Sequence, residues 1–172
     1  MTLRDAYQAS LRREGHSEDA AQLAIIAELE ELQRRLVARS DEDAGLVASL
    51  LRFFRRGRPD VRGLYIWGGV GRGKTFLMDL FFDTLEIPAK KRSHFHRMMH
   101  DVHGRLKNLD GARDPLDRVA ADIARETRVL CFDEFFVSDI GDALILARLL
   151  DGLFRRGVTL IATSNTRPDD LY

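Results

Sequence analysis

The chain has 172 residues, 45% hydrophobic and 31% charged, and its 27 Lys and Arg balance 27 Asp and Glu. A formal net charge of zero gives no bulk electrostatic case for nucleic acid, and no stretch is apolar for long enough to span a membrane. Cys131 stands alone, which excludes a disulfide framework and fits a reducing compartment. The opening MTLRDAYQASLRREG has no apolar signal core, and Asp5 and Glu14 interrupt any basic transit pattern.

Residues 1–58 read as a helical extension. Ser17 is a candidate N-cap, with Glu18 and Asp19 in the first turn where acids suit the helix dipole. Ile25, Leu29, Leu32 and Leu36 then recur at helical spacing. A second helix is expected over residues 43–54, and Gly57-Arg58-Pro59-Asp60 breaks the pattern. The basic clusters Arg12-Arg13, Arg34-Arg35, Arg55-Arg56 with Arg58, and Lys90-Lys91-Arg92 read as solvated faces or helix ends.

Residues 59–172 alternate strands with helices. Strands are expected over 64–67, 93–96, 129–133 and 158–163, with helices over 76–85, 97–106, 116–126 and 139–154 between and after them. That alternation predicts an α/β fold, a parallel sheet with helices on both faces.

After the first strand comes GGVGRGKT, which fits G-x-x-x-x-G-K-[ST] at every fixed position. Gly68, Gly69, Val70, Gly71, Arg72, Gly73, Lys74 and Thr75 form the candidate ATP loop. Its glycines let backbone N–H groups approach phosphate oxygens. Lys74 supplies a charge for the β/γ-phosphates and Thr75 a hydroxyl for Mg²⁺. A strand, a glycine loop and a helix N-terminus together make an anion site.

His94 and His96 fall on one face of the expected second strand, and His96, His100 and His103 on one side of the helix after it. With no cysteine nearby and Asp101 the only nearby acid, they read as hydrogen-bonded structural histidines, or one near the nucleotide or a partner, rather than metal ligands.

The third strand, Val129-Leu130-Cys131-Phe132, delivers Asp133 and Glu134. Asp133 suits Mg²⁺, and Glu134 stands where a base polarises the attacking water. Cys131 reads as an inert core residue. The fourth strand ends in Ser164-Asn165, and Asn165 is a candidate for the γ-phosphate or the lytic water, the sensor 1 position of AAA+ ATPases. These groups fall at the carboxyl ends of strands, where parallel sheets bind ligands. Water activation by Glu134 argues against a kinase, and Asn165-Thr166-Arg167-Pro168 does not make the guanine motif of a GTPase.

The strings LYIWGGVGRGKT, SHFHRMMHDVH, CFDEFFVSDIGDA and ATSNTRPDDLY resemble the ZapE-type cell-division ATPases and their mitochondrial AFG1-like relatives within the AAA+ superfamily. The resemblance spans residues 61–172. It implies ATP on residues 68–75, Mg²⁺ on Thr75 and Asp133, water activation by Glu134 and sensing by Asn165. It also implies an FtsZ-like division partner, a homo-oligomer, and a cytoplasmic protein working near the inner-membrane division site. The family continues past Tyr172, so the resemblance implies a fragment without the arginine finger, fifth strand and helical lid, and hence slow turnover. A helicase-loader-like ATPase acting on DNA, and a nucleotide-gated binding module without turnover, are the alternatives.

Overall fold

In the computed structural model, residues 1–43 and 61–171 are described. The expected helix over 43–54 and the break at 57–60 lie outside them, apart from Asp43, which ends a helix. The chain divides into two units: Met1–Val61 with Phe76–Pro88, and Arg62–Thr75 with Ala89–Tyr172. The split differs from a single boundary at residue 58, because most of the helix after the glycine loop groups with the N-terminal residues.

In the first unit, α1 (Leu3–Glu14) begins with a reciprocal cap between Thr2 and Asp5. It ends at Gly15, whose φ of 69° is the left-handed conformation that closes a helix. Leu3, Ala6, Tyr7 and Leu11 form its buried stripe. The next helix, α2 (Ala20–Asp43), is capped by Asp19 rather than Ser17: its carboxylate accepts from the N–H groups of Ala21 and Gln22 at 2.8 and 3.0 Å. Ile26, not Ile25, leads the fully buried stripe with Leu29, Leu32 and Leu36. Helix α3 (Lys74–Thr84) buries Leu77, Met78 and Phe81. Gln33 on α2 donates to the Phe81 carbonyl and to Thr84 Oγ1 at 3.1 and 2.8 Å.

The second unit holds β1 (Leu64–Trp67), β2 (Lys90–His94), β3 (Val129–Asp133) and β4 (Thr159–Ser164). All pairings are parallel, in the order β1-β4-β3-β2. Helices α4 (Phe95–Asn108), α5 (Pro115–Glu126) and α6 (Ile140–Phe154) follow β2 and β3. Phe95, Met98, Met99 and Val102 of α4 pack with Leu116, Val119 and Ile123 of α5 and with Leu130 and Phe132 of β3. Val129, Cys131 and Ile161 alternate to the other face and are fully buried too. Asp117 of α5 pairs with Arg156 at 2.8 Å, which holds its carboxyl below the usual value.

The second strand departs from the expected 93–96. It runs from Lys90 to His94, and α4 begins at Phe95. It lies at one edge of the sheet, where lysine and arginine are tolerated and discourage further pairing. His94 and His96 therefore do not share a strand face: His94 closes β2, and His96 lies in the first turn of α4.

Candidate functional site

The glycine loop leaves the carboxyl end of β1. Gly71 and Gly73 have φ of 78° and 77°, which a side chain would strain. No atom lies within 4 Å of a Cβ built at Gly71, so conformation and not space demands glycine there. Helix α3 starts at Lys74, so the N–H groups of its first turn have no intrahelical partner and face the loop as donors. Lys74 Nζ donates to the carbonyls of Gly68 and Gly69, both at 2.8 Å. Burial pushes its ammonium below the ordinary lysine value, because the charged form is partly desolvated, and a bound anion would stabilise that form.

Asp133 ends β3 and is 5% exposed. Arg92 of β2 grips it with two hydrogen bonds, Nε to Oδ2 at 2.6 Å and Nη2 to Oδ1 at 3.2 Å. The parallel register sets His94 beside Asp133 and Arg92 beside Cys131, two positions earlier. This corrects the reading of Lys90-Lys91-Arg92 as a solvated cluster: its third member is an ion-pair partner in the site. Burial pushes the neighbouring Cys131 thiol up to about 12, so it stays protonated and inert.

Glu134 is exposed and has φ of 55°, a left-handed conformation rare for a side-chain-bearing residue. Three bonds to β4 hold the turn. Glu134 N–H donates to Thr163 Oγ1 at 3.4 Å, Phe135 N–H to the Thr163 carbonyl at 2.7 Å, and Ser164 Oγ to the Phe135 carbonyl at 2.5 Å. Asn165 follows β4 directly and is exposed. Gly68 N–H donates to the Ser164 carbonyl at 3.3 Å, so the glycine loop is bonded to the strand tip that carries Asn165.

Thr75, Asp133 and phosphate oxygens would make a hard, all-oxygen donor set, which suits Mg²⁺. The glycine conformations and the cationic Lys74 suit a polyphosphate. His103 bonds to Asp142 of α6 at 2.7 Å, a tie between helices. Sequence reasoning missed Arg92, Thr163 and Trp67. Trp67 ends β1 beside the loop, half exposed, with the Arg167 guanidinium 5.2 Å above its ring.

A family model described as AFG1-like ATPase matches residues 1–172. The chain is 47% identical over 96% of its length to the cell division protein ZapE of Escherichia coli K12, covering 46% of that protein. It is 48% identical over 64% of its length to lactation elevated protein 1 homolog B of Danio rerio, covering 24% of it. The chain thus spans less than half the length of these relatives. In fold it is similar to AMPPCP-bound DnaA of Aquifex aeolicus, with a TM-score of 0.60 at 14% identity over 92% of this chain and 43% of that one. It is also similar to domain III of the Thermotoga maritima replication initiation protein DnaA, with a TM-score of 0.50 at 17% identity over 63% of this chain and 46% of that one. The parallel sheet with its glycine loop is accordingly a P-loop core of the AAA+ kind.

Proposed function

The chain belongs to the AFG1-like ATPase family, and from that premise we propose that it binds ATP with Mg²⁺ on residues 68–75 and hydrolyses it. The observation that carries the reading is convergence. The glycine loop after β1, Asp133 and Glu134 at the end of β3, and Asn165 after β4 emerge at the carboxyl end of one parallel sheet. Lys74 and the loop N–H groups hold the β/γ-phosphates. Thr75 and Asp133 hold Mg²⁺, which when bound withdraws charge from the phosphate oxygens. Glu134 orients a water and accepts its proton, while Asn165 fixes that water or the γ-phosphate. The left-handed backbone at Glu134, tied to Thr163 and, through Phe135, to Ser164, supports a fixed position for this residue.

The same reading extends to a role in cell division, supported by identity to a protein of that name. An FtsZ-like partner and a cytoplasmic homo-oligomer at the division site rest on the family resemblance alone. Among the described residues no helix is long and apolar enough to cross a membrane.

Trp67 is the single tryptophan and directly precedes Gly68, so its fluorescence reports on the loop. ATP with Mg²⁺ is expected to change that signal saturably, and Lys74→Ala to abolish the change. Glu134→Gln is expected to keep the binding signal while phosphate release falls about 10²-fold or more. Equal turnover in Glu134→Gln and the parent would sink the assignment of Glu134.

A further inference from the structure

We propose that Arg92 competes with the divalent cation for the Asp133 carboxylate, and so sets the cation concentration at which nucleotide is loaded. The inference rests on the reading of Asp133 as a Mg²⁺ ligand. Both oxygens of Asp133 receive an N–H from one planar guanidinium, at 2.6 and 3.2 Å. The carboxylate is almost wholly buried and the Arg92 side chain is 21% exposed, so solvent screens the pair little.

A buried carboxylate needs a positive partner, and the pairing with Arg92 supplies it through the parallel register of β2 on β3. A cation approaching Asp133 therefore meets a charge of its own sign already bonded to its ligand. Binding requires the guanidinium to release one oxygen or to turn aside. Rotation about the torsions of the long Arg92 side chain is the movement that this requires. Arg92 is thus a positioning residue: it keeps Asp133 compensated and aimed, and makes loading respond to the cation rather than to nucleotide alone.

The test is the Mg²⁺ midpoint at saturating ATP, read from Trp67 fluorescence, together with thermal unfolding with and without Mg²⁺ and ATP. Arg92→Gln is expected to lower the midpoint about tenfold or more, since a charge opposing the cation is removed. It is also expected to lower the melting temperature in EDTA, with that loss closing when Mg²⁺ and ATP are both present. Arg92→Lys keeps the charge but not the fork, and is expected to fall between the parent and Arg92→Gln, which covers the case in which the neutral variant folds poorly. If the parent binds ATP in a Mg²⁺-dependent way and both variants share its midpoint, Arg92 is merely structural and the inference is overturned. A midpoint that rises in Arg92→Gln makes Arg92 a phosphate contact and overturns it equally. No ATP signal in the folded parent would instead overturn the nucleotide reading, and the inference with it.

Discussion

Glu134 shows how one residue's backbone carries chemistry. Its φ of 55° costs a side-chain-bearing residue about 1–2 kcal/mol, a strain held in place by the bonds from Thr163 and Ser164. Replacing it with glycine removes that strain but adds backbone entropy of about 0.5–1 kcal/mol to the unfolded chain. Glu134→Gly is therefore expected to stabilise the protein by up to about 1 kcal/mol in urea unfolding while turnover is lost. Glu134→Gln, which keeps the strain, is expected to lose turnover with stability unchanged. A glycine variant less stable than the parent would show that the carboxylate, not the backbone, holds the turn. Thr163→Val tests the support from the other side. It keeps the side chain's shape and removes the acceptor for Glu134 N–H, so phosphate release is expected to drop about tenfold, about 1.4 kcal/mol of barrier, with ATP affinity unchanged. A fall in affinity instead would place Thr163 among the nucleotide contacts.

At the scale of elements, Gly152 and Gly104, both in helices of the second unit, make opposite predictions. Gly152 lies where α6 meets α5, and a Cβ there would stand 2.7 Å from Ala120 Cβ. Gly152→Ala is expected to destabilise by about 1–3 kcal/mol through overpacking. Gly104 on α4 has no neighbour within 4 Å of such a Cβ, so Gly104→Ala is expected to stabilise by about 0.5–1 kcal/mol through helix propensity. Denaturation midpoints of the two variants that move in the same direction would refute this account. The sequence pattern did not distinguish these glycines, because both sit in helical runs and only the crossing helix differs. Element legibility follows the same logic. β3 is buried at all five positions and reads as an apolar run, so residues 129–133 match their expected span. β2 is basic because it is an edge strand, and apolar patterning placed it three residues late. The cap of α2 was misplaced by two residues because Ser17, Glu18 and Asp19 all suit a helix start, and only the Asp19 carboxylate reaches the first free N–H groups.

For the whole molecule, strand–helix alternation made a parallel sheet legible, and parallel topology then puts the candidate groups at one end of it. The contacts across that end were not legible. Arg92 and Asp133 are 41 residues apart, and Glu134 and Thr163 are 29 apart, distances over which a single sequence carries no pairing signal. A loop shaped by tertiary structure in this way belongs to the folded state alone, so its ligand must stabilise folding by mass action. ATP at about 100 times its dissociation constant adds about 2.7 kcal/mol, or about 5–10 °C in melting temperature for a chain of this size. The shift is expected with Mg²⁺ and ATP in the parent and in Glu134→Gln, where the loop and Lys74 are intact. It is expected to vanish in Lys74→Ala, whose own melting temperature stays near the parent's because Lys74 bonds, among the described residues, to loop carbonyls alone, at 2.8 Å. A parent whose melting temperature ignores ATP at every concentration would mean that the loop holds its glycine conformations for some purpose other than a nucleotide. A shift that persists in Lys74→Ala would locate the binding energy in the N–H groups of the loop and the first turn of α3 rather than in the lysine charge.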